Sequence, residues 1–268
     1  MKEGRLGPIE RFAFTMLLPL SIFACRLNQD TQTSAADSVA AELSSGEGAA
    51  TASVAVSGTY PAAAQSAARQ ERSRTWSFDD MPAGVAPPGF SFARTGNGAQ
   101  ARWLVQAALY AYSGANVLVQ TDTDATSNRF PVAVADEPRL RDLMISVRCK
   151  TVSGHVDQAC GLVFRYLNAD NYYLTRSNSR EDNIRLYYVK DGRRREIASW
   201  AGEVTRDVWH ELRAEARGEE LRVFWDGRQV VQKQDRTFPA AGRAGLWTKA
   251  DSYTLFDELT VIPLEGRP

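Results

Sequence analysis

The chain has 268 residues, 44% of them apolar, and its 32 basic side chains are matched by 32 acidic ones. That apolar content is ample for a core, and the zero net charge argues against a surface built for nucleic acid. Its only two histidines, His155 and His210, lie far apart with no clustered cysteine beside them, which fits no common zinc spacing.

Lys2, Arg5 and Arg11 precede an apolar run from Phe12 to Ala24 that stops at Cys25. Thirteen residues at about 1.5 Å each fall short of a hydrocarbon core about 30 Å thick, so the run is not a mature membrane span. A basic flank, a short apolar stretch and a small residue before the cut describe an export signal over 1–25. Ile22-Phe23-Ala24-Cys25 resembles a bacterial lipobox, which implies lipidation of Cys25 and anchorage in the envelope, periplasmic or cell-surface. Residues 26–70 are mostly Ala, Ser, Thr, Gly and Gln, with too few large apolar side chains to offset their ordering entropy. They are expected to form a disordered tether between that anchor and a folded region over 71–264.

The folded region reads as short alternating strands over 76–78, 103–106, 117–121, 143–150, 158–166, 172–177, 184–190, 193–200, 210–217, 221–225, 229–233, 243–247 and 254–262. No sustained period of 3.6 competes with them, so the expected fold is all-β, a two-sheet antiparallel sandwich. With Cys25 assigned to lipid, Cys149 and Cys160 remain as a pair, either a disulfide or two buried thiols in contact. Pairing them across one hairpin also sets Val147 opposite Leu162 and Ile145 opposite Phe164, with all the apolar residues on one face.

The same register argument carried through the next hairpins sets Arg165 opposite Leu174, Arg176 opposite Arg185, and Asn178 opposite Asn183. One sheet face is then expected to collect Arg165, Arg176, Arg185, Asn178, Asn183, Tyr172 and Tyr187, and Trp247 extends it from another strand. Guanidinium forks donate to sugar hydroxyls or carboxylates, and aromatic rings stack on apolar sugar faces. The alternative is a solvated face whose arginines pair with loop acids and cover apolar surface with their stems. Trp76, Trp209 and Trp225 are read as core.

Trp209-His210 opening one strand, the turn at 217–220 and Asp226-Gly227 closing the next resemble the laminin-G and concanavalin A-like group of lectins and glucanases. Gly161 to Tyr166 with Asn171-Tyr172-Tyr173, and Gly245-Leu246-Trp247 with Phe256 to Leu259, carry the same resemblance. It implies a jelly-roll sandwich over roughly 75–262. It also implies that a structural Ca2+ sits between an early loop and the last strand, with Asp79, Asp80 and Asp257 as the matching acids.

That group contains lectins, adhesion modules and glycosidases alike, so activity must be argued from residues. Family 16 glycosidases carry Glu-x-Asp-x-Glu on one strand; here Glu211 and Glu215 have the outer spacing, but Arg213 holds the middle. The resulting expectation is non-catalytic binding of a polysaccharide or other glycan. The alternatives are a glycoside or keto-disaccharide hydrolase, or a structural or adhesion module.

Overall fold

The computed structural model describes residues 73–265, which contain fifteen strands, β1 to β15 in chain order. The export signal over 1–25 with Cys25, and the tether over 26–70, lie outside the described residues. All pairings between strands are antiparallel and form two sheets.

The first sheet runs β13 (Arg228–Gln234), β12 (Glu220–Trp225), β11 (His210–Arg217), β6 (Leu143–Ser153), β15 (Tyr253–Pro263), β4 (Asn116–Gln120) and β3 (Trp103–Ala107), with β1 (Arg74–Trp76) also on β15. The second runs β10 (Arg193–Ala201), β9 (Asn183–Lys190), β8 (Asn171–Asn178), β7 (Ala159–Asn168), β14 (Arg243–Trp247), β5 (Arg129–Ala135) and β2 (Phe90–Gly96). The expected two-sheet sandwich is therefore present.

Local chemistry explains the β11–β12–β13 ribbon. Leu212 pairs with Trp225, Ala214 with Val223 and Ala216 with Leu221, so the buried members of both strands face the core together. Asp226 and Gly227 both take positive φ, which is the two-residue turn that Asp-Gly favours. Two strands escape the sequence pattern. In β5, Pro131 interrupts the run and three of its seven residues are Pro or Ala, so a wholly buried central strand resembles a loop. β2 carries Ser, Arg, Thr and Gly among its seven residues and shows no clean alternation.

The main core lies between the sheets. Val147, Ile145, Leu212 and Phe256 on one side meet Leu162, Phe164, Leu186 and Leu246 on the other. Cys149 and Cys160 are bonded, with Cα atoms 6.4 Å apart, but the expected shared hairpin is wrong. β6 pairs with β11 and β15, whereas β7 pairs with β8 and β14, so the disulfide joins the two sheets across the core. Both strands turn their apolar faces inward, which is why a single-hairpin register also looked satisfactory.

The second sheet is tightly rolled. Thr95 on β2 lies 2.8 Å from the Tyr172 hydroxyl on β8, although three strands separate them. The Arg194 guanidinium on β10 sits 4.6 Å from the centre of the Phe130 ring on β5, across four intervening strands. Flat strands at about 4.8 Å spacing would hold β10 and β5 about 24 Å apart. Rolling makes the outer face concave and packs a second apolar cluster onto it, including Phe130, Val163, Tyr166, Tyr172, Leu174, Tyr187 and Trp247.

Candidate functional site

The expected Arg/Tyr face is this concave surface. The β8–β9 register is as expected, with Arg176 opposite Arg185 and Asn178 opposite Asn183. The β7–β8 register is not. A bulge between Phe164 and Asn168 puts Val163, not Arg165, opposite Leu174. Arg165 takes φ of 46° and turns inward, while Tyr166 turns onto the concave face. Gly242 makes room for the bulge, because a Cβ there would lie 2.4 Å from the Arg165 carbonyl carbon. Arg165 is fully buried and donates to the carbonyls of Arg141, Phe238 and Gly218 at 2.7, 2.9 and 2.6 Å, with Asp142 at 3.4 Å. It is a structural cation and not part of the face.

The other residues share the face but not the predicted accessibility. Tyr172 and Trp247 are 0% exposed and Tyr187 is 4% exposed, so no ring surface remains for a sugar. Burial raises the Tyr172 hydroxyl well above the usual phenol range. Trp247 stacks on Phe130 and packs against Gly161, where a Cβ would meet the indole at 2.8 Å. Arg176 is buried too; it donates to Asn183 at 2.6 Å and to Glu181 at 2.9 Å. Asn178 donates to Asp157 and accepts two backbone N–H groups of the following turn, from Arg180 and Glu181. Asn183 is 6% exposed. Arg185 remains partly open, between Glu181 at 3.6 Å and Glu196 at 3.5 Å.

The residue that stands out on this face was read only as part of a strand. Arg194 lies 4.6 Å from Phe130, 4.7 Å from Tyr187 and 5.9 Å from Trp247, measured to the ring centres. It forms no ion pair and no side-chain hydrogen bond. Burial lowers its pKa from the ordinary guanidinium value, because desolvation disfavours the charged form. The run Arg193-Arg194-Arg195 was the available signal.

A second surface was also missed. The loop between β3 and β4 leaves Leu109 88% and Tyr110 75% exposed, with Tyr112 also exposed; Val208, just before β11, is exposed too. Trp209, expected in the core, is only half-buried here and packs edge-on to Tyr112 at 6.0 Å. Its indole N–H donates to the Tyr110 carbonyl at 3.0 Å. Arg148 lies over the Tyr112 ring and Lys150 over the Trp209 ring, at 4.7 and 5.2 Å.

The base of that loop carries two of the three expected calcium ligands. Asp79 accepts from the Ala115 and Asn116 amides at 2.7 and 2.9 Å, and Asp257 from the Ser113 and Glu258 amides at 2.9 and 2.8 Å. Asp80 is exposed. Burial pushes the Asp257 carboxyl up, the amides of Ser113 and Glu258 oppose this, and the charges of Glu258 and Asp79 add to the rise. Burial also works to raise Asp79, but its amide donors outweigh it and hold that carboxyl low. The carboxylate oxygens of Asp79 and Asp257 suit Ca2+ in type. In number they fall short: among the described residues no three His, Cys, Asp or Glu side chains gather closely enough to hold a metal ion.

The two strand carboxylates weighed against the family 16 pattern each lie beside an arginine. Glu211 pairs with Arg148 at 3.0 Å, and Glu215 lies 3.6 Å from Arg213. His210 is held between Asp226 at 2.7 Å and the Thr205 carbonyl at 3.1 Å, and its ring stacks on Trp225.

No protein-family model and no curated protein matches this chain. Solved structures do. The carbohydrate-binding module CBM66 from Bacillus subtilis superposes with a TM-score of 0.52 at 19% identity, covering 65% of this chain and 95% of that one. The fold is concanavalin A-like. Two more structures superpose on the chain. The exoplasmic/lumenal domain of VIP36, in its Ca2+/Man-bound form, gives 0.50 at 14% identity over 75% of this chain and 93% of that one. The cellulose induced protein Cip1 gives 0.51 at 8% identity over 73% and 100%.

Proposed function

We propose that this concanavalin A-like domain binds a polysaccharide or other glycan without cleaving it, at the exposed rim of the concave sheet. Arg194 carries this reading. It is a half-buried cation set among three rings with no acceptor of its own, and a ligand oxygen would supply one. Arg185 adds a donor at the rim, while Arg176, Asn183, Tyr187 and Trp247 hold the floor. Two of the structural neighbours bear names that speak of carbohydrate or bound mannose, which supports the same reading. A glycan array tests it. Retention by the parent protein and loss in Arg194→Ala are expected; equal retention by both removes the rim from the site.

The exposed Tyr110, Tyr112 and Trp209 favour a second reading, in which sugars stack on the loop surface of the other sheet. A Tyr110→Ala/Tyr112→Ala double variant on the same array separates the two, since it spares the rim.

The expectation for the N-terminus becomes a proposal about place: an exported protein, lipidated at Cys25 and tethered to the envelope. Metabolic labelling with palmitate tests it, and label retained by Cys25→Ala would refute it. Ca2+ is proposed at the base of the 113–116 loop, held by Asp79 and Asp257 with backbone oxygens. An unchanged melting temperature after EGTA treatment would remove the ion.

A further inference from the structure

Arg185 on β9 is ion-paired, but the four cations about the β9–β10 turn, Lys190, Arg193, Arg194 and Arg195, form no ion pair and no side-chain hydrogen bond. β10 is an edge strand, and charges on an edge ordinarily point into water to block pairing with another chain. Arg193 and Arg195 do so; they are exposed. With Lys190, Tyr188 and Asp191 they line a hollow of about 450 Å³ on the other side of the strand from Arg194.

Arg194 does not fit that protective role. It folds back over the concave face, and one of its terminal nitrogens is buried without an acceptor. The acid whose charge reaches it, Asp157, is already held by Lys249 and Asn178. Removing a guanidinium from water without a counter-charge is costly, and a neutral hydroxyl compensates poorly for it. A carboxylate or sulfate compensates well, because the planar fork binds two oxygens at once and the local dielectric is low.

Resting on the glycan-binding reading above, we propose that the ligand is an acidic polysaccharide. Arg194 takes one of its anionic groups from the concave side, and Lys190, Arg193 and Arg195 take others along the β10 edge. Both candidate groups, carboxylate and sulfate, offer the same paired oxygens to the fork.

The test measures binding of the full chain to four polymers: polygalacturonate, its fully methyl-esterified form, dextran sulfate and plain dextran. Polygalacturonate or dextran sulfate should bind at least about tenfold more tightly than its neutral counterpart, and which of the two does so identifies the group. Arg194→Gln should lose about ten- to a hundredfold for the acidic polymer, since a hydrogen bond to a charged group is worth about 1.5–3 kcal/mol. Arg194→Lys should recover part of that loss, and an unchanged melting temperature shows that the variant is folded. Lys190→Gln/Arg193→Gln/Arg195→Gln should flatten the dependence on salt. Neutral polymers binding as tightly as acidic ones, or acidic binding indifferent to Arg194→Gln, would overturn the acidic assignment and leave glycan binding intact. Silence toward all four polymers would overturn both.

Discussion

Arg165 and Arg194 are both withdrawn from water, and the protein treats them in opposite ways. Arg165 reaches the carbonyls of Arg141, Phe238 and Gly218 and the Asp142 carboxylate. Arg129, equally buried, is similar: it reaches the carbonyls of Ala99 and Ala250 and pairs with Asp122 at 2.9 Å. Arg194 has rings beside it, and its side chain forms no ion pair and no hydrogen bond. Buried charges that serve the fold are satisfied within it, because an unpaired one costs several kcal/mol. A charge left without partners is therefore where an outside group is to be sought.

Stability measurements can break this contrast. Arg165→Leu takes the donor from the carbonyls of Arg141, Phe238 and Gly218 and the partner from Asp142, and should destabilise the domain by about 3–5 kcal/mol, read from urea unfolding. A cost under about 1 kcal/mol would mean that Arg165 is as dispensable as Arg194 is expected to be. Replacing Cys149 and Cys160 by Ala should cost about 3 kcal/mol, as expected for a short closed loop. Unchanged stability in that variant would show that packing alone holds the sheets in register.

Asp257 sharpens the comparison from the acidic side, since it too is buried without a counter-charge. Its folded pKa is raised, so the folded form holds its proton more tightly than the unfolded chain does. Its contribution is full below the ordinary carboxylate value and is lost as pH rises through the raised one. Melting temperature should therefore fall over that window, and Asp257→Asn should remove this component of the fall. Added Ca2+ should restore the loss in the parent only; an equal response in Asp257→Asn would place the ion elsewhere. Arg194→Leu should lower stability by less than about 1 kcal/mol or raise it, because an uncompensated cation leaves and only its ring contacts are lost. Smallest of all, Tyr110→Ala should shift stability by no more than about 0.5 kcal/mol, as its ring is exposed.

Much of the fold was legible because period-two alternation is a direct image of a sheet with a buried face. The β8–β9 pairing was readable because Asn178 and Asn183 bracket a short turn, and a slip by one residue would have turned Leu186 outward. Arg165 was misread because a bulge moves a side chain to the other face without changing the composition of the strand. The only trace of it in the chain is Gly242, on a segment distant in sequence. Curvature was equally invisible. Nothing along β8 shows that the sheet rolls until Thr95 meets Tyr172, yet that roll is what closes the expected tyrosine platform and leaves Arg194 at its rim. The cysteine partners were correct and their setting was not, because inward-facing strands of opposite sheets share one pattern.

That setting has a practical consequence. A bond between Cys149 and Cys160 works like a rivet through a laminate: each layer keeps its own ladder when the bond is reduced, and only adhesion between the layers weakens. Protein prepared in a reducing cytosol should therefore retain its strand order while separating more readily under heat, and a midpoint recorded with dithiothreitol reports the strength of that adhesion.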